Sequence, residues 1–417
     1  MRLLYFADIR FPLERANGIQ TMQTCHALAA RGHAVALVVR PDSSGEDRDA
    51  FAFYGLPPID TLSIRRVPQE GSATRRRLRY LTYALGSAAV GRRADILFTR
   101  DLGVASALLR MPRALRAAVV YESHGFAPEV SRALPEMLGN ADEPSRAKLQ
   151  RLEKRERGVW RRADGYVTIT SGLALELASR FGTRERIAVV PDGVRLAPDR
   201  RFQPPSWRPA PLVAYAGHLY PWKGADILLE AIGRLTSVRG LLVGGHPAEP
   251  DLARLRRRAE ELGLGWRMTF AGAVEPPRVS ALLDSADVLV LPNPPTPVSS
   301  RYTSPLKLFE YLAAGKPIVA SDLTSFREVL RHEENSLLVE AGSPDALAAG
   351  IRRVLSDREL AGRIARQAFE EAANYTWERR AERLEGLCAR VARRRSSRAA
   401  TGGKKQEPEK PGGPSAP

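Results

Sequence analysis

Lys307 and Glu310 stand three residues apart in SSRYTSPLKLFEYLAAGKPIVASD, residues 299–322, and Lys223 lies upstream in GHLYPWKG. Ser304 followed by Pro305 predicts a helix start. A hydroxyl can cap free N–H groups, and proline at the first helical position has no N–H to lose. Leu306, Phe309 and Leu312 recur at helical spacing, and Gly315 stops the helix before the strand PIVAS. The first turn of a helix attracts anions through its unpaired N–H groups and its dipole, and Lys307 adds a full positive charge there. Glu310 falls on the same face, where an ionised carboxylate beside an amine can accept hydrogen bonds from a vicinal diol. A phosphate attached to a ribose fits that pair.

The segment LVAYAGHLYPWKGADILLEAI, residues 212–232, reads as a strand, a loop containing Gly217, Lys223 and Gly224, and a helix. In doubly wound sheets such loops open on the edge where ligands bind. A lysine there can meet a diphosphate, and glycines allow the backbone to come close to it. The chain carries only eight lysines among its 64 basic residues, so Lys223 and Lys307 at one corner stand out from the arginine background. Arg301, just before the anion-binding helix, can reach the same phosphates bidentately or be one more solvated arginine in an arginine-rich chain. His218 can donate to a phosphate or pack under its loop, and His124, in the loop after the strand AVVYES, can face a ligand or be a buried histidine. Glu122 is placed to orient His124. No cluster of Asp, His or Cys has metal-binding spacing and no DxD stands in a convincing loop, so the expected chemistry is metal-independent and without a cofactor.

Positioning these groups requires parallel sheets. Short Val-, Ile- and Leu-rich runs alternate with longer helical periods, the pattern of βα units around a sheet buried on both faces. Strands are expected near 2–7, 33–40, 94–99, 117–122, 164–170 and 186–190, and again near 212–216, 239–244, 267–271, 286–291 and 317–320. Two such series predict two doubly wound Rossmann-like domains of the α/β class, residues 1–195 and 212–373. The proline-rich stretch 196–211 is the expected linker. The amphipathic segment 376–395, with Trp377, Leu384 and Leu387 on its apolar side, is expected to complete the first domain. Residues 396–417, rich in Gly, Pro and polar residues, read as a disordered tail.

With 44% hydrophobic residues the chain has material for sizeable cores, which excludes wholesale disorder. Its start lacks a cleavage site, no run is long and apolar enough to span a bilayer, and two distant cysteines offer no disulfide framework, so a cytoplasmic location is expected. The +17 charge concentrates in part between Arg65 and Arg116. There, RRRLRYLTYALGSAAVGRR mixes arginines with Tyr80, Leu81, Tyr83 and Leu85, which suits either a solvated helix or an interfacial one on an anionic membrane. Nucleic acid is not expected as a partner, because stacking platforms and recognition motifs are missing.

GHLYPWKG followed about eighty residues later by SPLKLFEYLAAGKPIVASD resembles the nucleotide-sugar site of retaining glycosyltransferases of family 4, which have the two-Rossmann GT-B architecture. Further similar features are NGIQTMQTCHALAARGHAV, YESHG at 121–125, VVPDGV at 189–194, FAGAV at 270–274 and ADVLVLP at 286–292. The resemblance implies that Lys223 meets the donor diphosphate and Glu310 the ribose hydroxyls. It implies that backbone near Ser304 and Leu306 holds the distal phosphate and that Ala273 and Val274 edge the base. Gly18 then lets the amino-terminal domain close over the phosphate, and His124 projects toward the transferred sugar. Departures fall mainly on the sugar-contacting half: Tyr302 stands where the family usually has a second glutamate, His218 where it has an arginine, and Pro305 where a glycine is common.

The implied function is transfer of a sugar from a nucleoside diphosphate sugar to a hydroxyl of a lipid-linked, saccharide or small-molecule acceptor, with retention of anomeric configuration, in glycan, glycolipid or cell-surface polysaccharide biosynthesis. Donor binding would involve Gly18, Gly217, His218, Lys223, Val274, Arg301, Ser304, Leu306, Lys307 and Glu310, with His124, Lys223 and Glu310 carrying the chemistry. Peripheral attachment to the inner face of the plasma membrane is the matching location. The competing readings are a nucleotide-sugar epimerase of the same architecture and a non-catalytic nucleotide-sugar-binding protein.

Overall fold

The computed structural model describes all residues except 43–47, 69–70, 91–93, 139–141, 246–249 and 402–417. Arg92 and Arg93 of the basic stretch therefore lie outside the described residues. The first sheet is built from β1 (Arg2–Arg10), β2 (Ala34–Arg40), β3 (Leu62–Arg66), β4 (Ile96–Thr99), β5 (Ala118–Ser123), β6 (Gly165–Thr168) and β7 (Ile187–Val189). The second contains β8 (Leu212–Ala216), β9 (Arg239–Val243), β10 (Met268–Gly272), β11 (Val288–Leu291), β12 (Ile318–Ser321) and β13 (Leu337–Val339). Their orders are β3-β2-β1-β4-β5-β6-β7 and β10-β9-β8-β11-β12-β13, with parallel pairing such as Tyr5 opposite Leu37 and Leu289 opposite Ala214. Wholly buried β4, β5 and β11 show why these runs are mainly apolar, since helices cover both faces. The architecture is two Rossmann-like domains, as the sequence predicts.

Two strands, β3 and β13, were not expected, and both are sheet edges. β3 exposes Ser63 and Arg65 and β13 has three residues, so neither presents the continuous apolar run of an interior strand.

After β7 the chain passes to the second domain, and it returns in the helix Trp377–Thr401. At the crossing, Val194 N–H donates to the Tyr375 carbonyl at 2.8 Å and Trp377 N–H to the Val194 carbonyl at 3.3 Å. Trp377, Leu384 and Leu387 are buried in the core of the first domain, beside the helix Ala16–Ala30. Truncating either leucine to alanine is expected to cost about 2–5 kcal/mol. The helix runs six residues past Arg395 into the segment expected to be a tail, because arginine and alanine sustain a helix.

The helix Ala73–Val90 carries the basic stretch. Tyr80, Ala84 and Ala88 face the core, while Leu78 and Val90 are exposed. No helix among the described residues is long and apolar enough to cross a membrane.

A second contact joins the domains away from the crossing. Glu328 accepts from Ser171 N–H at 2.8 Å and Gly172 N–H at 2.9 Å, capping the helix Ser171–Phe181 from the opposite domain. Nearby, the Thr170 hydroxyl donates to the Arg301 carbonyl at 3.2 Å.

Candidate active site

Strand order in the second sheet reverses between β8 and β11, so the loops leaving those strands diverge and open a crevice at their carboxyl ends. Lys223 lies in the first loop, and the second leads into the helix Leu306–Ala314, which carries Lys307 and Glu310. A cleft of about 1590 Å³ opens here between the domains. Its wall includes Gly217, His218, Lys223, Val274, Leu306, Lys307 and Glu310 from one side and Arg10, Asn17 and Ile19 from the other.

Two buried tyrosines set the first loop. The Tyr215 hydroxyl donates to the His218 carbonyl at 2.7 Å, and Ala216 N–H donates to the Tyr311 hydroxyl at 2.7 Å. His218 stacks on Tyr220 with ring centroids 5.1 Å apart. Gly224 adopts φ +78° at the start of the next helix, and a Cβ there would collide with the Pro292 carbonyl of the second loop. Only glycine lets the two loops meet so closely.

The Lys223 ammonium sits 3.7 Å over the Trp222 ring, half-buried, and no carboxylate pairs with it among the described residues. Desolvation pushes its pKa down to about 8. Lys307 Nζ donates to Glu310 Oε2 at 2.7 Å. That pair needs no rearrangement to offer an ammonium and a carboxylate to adjacent groups of one ligand. The arrangement supplies an uncompensated cation and an ammonium–carboxylate pair on one crevice, which suits a diphosphate joined to a diol.

The helix start differs from expectation. Pro305 is itself the cap residue, the first helical residue is Leu306, and no side chain caps the end. Ser304 therefore does not cap, and the cleft wall carries Pro305 and Leu306 but not Ser304. Leu306 is buried and packs into the apolar cluster of the first domain.

Arg301 and Tyr302 also lie outside the wall of this cleft. Arg301 is absent from the cleft wall and sits 3.6 Å from Glu129 of the first domain. Tyr302, almost fully buried, hydrogen-bonds Glu129 at 2.6 Å and Glu176 at 2.7 Å. The short helix Pro297–Tyr302 docks on the first domain, and that docking turns both side chains from the crevice.

Gly18 is buried beneath the cleft wall formed by its neighbours Asn17 and Ile19. A Cβ at Gly18 would collide with the Leu13 carbonyl and the Tyr54 hydroxyl, so packing in the first domain already requires glycine.

His124 follows the carboxyl end of β5, 24% exposed and outside the wall of the main cleft. Its Nε2 lies 2.6 Å from Glu122 Oε1. Glu122 is fully buried and also accepts from Gln20 Nε2 at 2.5 Å and Arg380 Nη2 at 2.6 Å. Burial disfavours its charge, but Arg380 and the His124 hydrogen bond outweigh burial and hold the carboxyl well below the usual range. Burial, then the nearby Arg100, push the His124 pKa down to about 4, so the imidazole is neutral at pH 7. Gln20, Arg100 and Arg380 escaped sequence reasoning, since residues so distant in the chain leave no local motif.

Residues 18–193 match the family pattern described as a glycosyl transferase 4-like domain, and residues 210–357 match that of glycosyl transferases group 1. A D-inositol 3-phosphate glycosyltransferase of Nocardia farcinica is 29% identical over 289 residues, 64% of this chain and 60% of that relative. The chain thus spans less than two thirds of that curated relative's length. Sucrose-phosphate synthase of Thermosynechococcus elongatus has a TM-score of 0.71 at 18% identity, covering 96% of this chain and 99% of that one. The Anabaena protein HepE, solved in complex with UDP-glucose, has a TM-score of 0.66 at 17% identity over 95% of this chain and 100% of its own. These likenesses establish the GT-B fold.

Proposed function

The chain belongs to the group 1 glycosyl transferases of family 4, and from that premise we propose that it moves a sugar from a nucleoside diphosphate sugar to a hydroxyl acceptor, with retention of anomeric configuration. The observation that carries this reading is the position of Lys223, half-buried and without a carboxylate among the described residues, across the β8/β11 crevice from the Lys307–Glu310 pair. The HepE complex lends support, because that protein holds UDP-glucose on the same fold.

In this reading Lys223 and Lys307 face the diphosphate and Glu310 accepts from the ribose hydroxyls. Negative charge grows on the diphosphate as the glycosidic bond breaks, and ammonium groups fixed beforehand stabilise that charge without reorganising. Gly217 and His218 border the same phosphates and Val274 the base. The acceptor enters from the first domain, whose wall supplies Arg10, Asn17 and Ile19. Closing the cleft excludes water, which favours transfer over hydrolysis. The two lysines supply the cationic charge that such a reaction needs, so we assign the chemistry no metal and no cofactor. A lipid-linked acceptor would suit the exposed Leu78 and Val90 and the arginines of the helix Ala73–Val90, which can rest on an anionic membrane from the cytoplasmic side.

A thermal-shift screen of nucleotides and nucleotide sugars tests the reading first, since ligands that bind only the folded chain raise its apparent stability. Product analysis with the best donor follows. Saturable binding with neither transfer nor hydrolysis would make the chain a binding protein, and a changed sugar released without an acceptor would make it an epimerase.

A further inference from the structure

The C-terminal helix places one arginine where three parts of the molecule meet. Arg380, in the first turn of that helix and 2% exposed, donates from Nε to the Thr24 hydroxyl at 3.0 Å. Its Nη1 donates to the Val190 and Pro191 carbonyls at 2.8 and 2.9 Å, and its Nη2 to Glu122 at 2.6 Å. Val190 and Pro191 follow β7 in the segment by which the chain leaves the first domain, and Arg380 follows the point at which it returns. One guanidinium therefore joins both crossings to the support of His124.

The hydrogens in this network have one arrangement. Arg100 Nη1 donates to Gln20 Oε1 at 2.7 Å, so the Gln20 amide must turn its NH2 to Glu122 Oε1. Arg380 donates to the other carboxylate oxygen. A carboxylate met by donors on both oxygens has no proton to give, so His124 must bring its own, at Nε2. Nδ1 is then an acceptor, and it has no partner among the described residues. Burial keeps the ring neutral, which preserves that lone pair at pH 7.

The geometry points to Arg380 as a positioning residue for His124: by fixing Glu122 as an acceptor it selects the Nε2–H tautomer and leaves Nδ1 of this partly exposed ring, outside the wall of the open cleft, to accept from a hydroxyl of the donor sugar or the acceptor once the cleft closes. This rests on the proposed transfer reaction for its purpose, but not for its geometry.

The test uses the full chain with ¹⁵N-labelled histidine and reads the ring-nitrogen shifts of His124 near pH 7, without any substrate. The wild type should show Nε2 protonated and Nδ1 bare. In Glu122→Gln the amide oxygen should face the charged Arg380 guanidinium, and the NH2 then takes the Oε1 position, displacing the neutral Gln20 NH2 and facing His124. The ring should invert to the Nδ1–H tautomer. Arg380→Lys should keep the wild-type pattern, and Arg380→Met should lose the single tautomer. In transfer assays, Glu122→Gln should lower kcat roughly tenfold or more, as a wrongly held tautomer does, with KM for the nucleotide sugar within about twofold. Arg380→Lys should recover most of that rate.

A wild-type ring protonated at Nδ1 would overturn the assignment, and so would a folded Glu122→Gln chain that keeps Nε2–H. If the tautomer inverts while kcat is unchanged, the positioning role fails although sugar transfer stands. If the wild type transfers no sugar, the proposed reaction fails, and the ring shifts alone decide the network. Should Arg380→Met not fold, the wild-type and Glu122→Gln spectra carry the test.

Discussion

The Tyr302 hydroxyl lies 2.6 Å from Glu129 Oε2, joining the docked helix of the second domain to the first. Glu176 stands 2.7 Å from the same hydroxyl, and Arg180 bridges both carboxylates at 2.8 Å. Burial and then the two carboxylates push the phenol's pKa up, so it remains a donor. The position where the family resemblance implies a glutamate is here a fastening between domains. Tyr302→Phe should lower stability by about 1.5–3 kcal/mol, the worth of a hydrogen bond to a charged group, with nucleotide affinity little changed. Tyr302→Glu should destabilise more, since it buries a third carboxylate beside Glu129 and Glu176. Chemical denaturation of the three proteins would check the ranking, and a Tyr302→Glu chain as stable as wild type would refute it.

Lys223 gives nucleotide binding and unliganded stability opposite responses to pH. Its folded pKa, about 8, is below the unfolded value near 10.4. Between those values the unfolded chain binds the extra proton, so this group's contribution to stability rises with pH across that window. Loss of the ammonium weakens the grip on a diphosphate over the same range. Nucleoside diphosphate affinity should therefore fall as pH rises through about 8, and Lys223→Ala should abolish that fall. Transfer by Lys223→Ala should drop by about 10² or more. Calorimetric titration from about pH 7 to pH 9 on both proteins reads the effect.

The interior of the fold was legible because β1, β2, β4, β5, β8 and β11 are buried over most of their length and are therefore mainly apolar. β3 and β13 were not legible, because an edge strand can expose Ser63 and Arg65 or stop after three residues. Lys223, Lys307 and Glu310 could be found because turn chemistry and helical spacing place them relative to their own strands. The orientation of Arg301 and Tyr302 could not, since it is decided by Glu129, Glu176 and Thr170 in the other domain. Arg380 is hidden for the same reason: 258 residues separate it from Glu122.

Glu310→Ala separates recognition of ribose from recognition of phosphate. The carboxylate now pairs with Lys307 Nζ at 2.7 Å, so its removal frees that ammonium while deleting an acceptor for hydroxyls. Nucleoside diphosphate binding should weaken roughly tenfold, the size of a lost charged hydrogen bond. Inorganic pyrophosphate, which has no ribose, should bind as well or more tightly. Parallel titrations with the two ligands decide the matter, and an equal loss for both would show that Glu310 acts only by holding Lys307.

Glu156 sets a pH dependence away from the cleft. It is fully buried, accepts from the Tyr166 hydroxyl at 2.7 Å, and lies beside Ala127 N–H at 3.4 Å. Burial outweighs both hydrogen bonds and pushes its pKa up to about 7. The folded chain therefore holds a proton that the unfolded chain has released above about 4.3. That contribution to stability is complete below the unfolded pKa and is lost as pH rises through about 7. Glu156→Gln keeps the shape without a group to ionise. It should be close to neutral at about pH 4 and stabilising by roughly 1–3 kcal/mol at about pH 8, relative to wild type. Subtracting the two stability profiles isolates this residue from His124 and Asp192, whose pKa values are also displaced by burial. A difference that does not grow between those two conditions would mean that Glu156 ionises as freely in the folded chain as in the unfolded one.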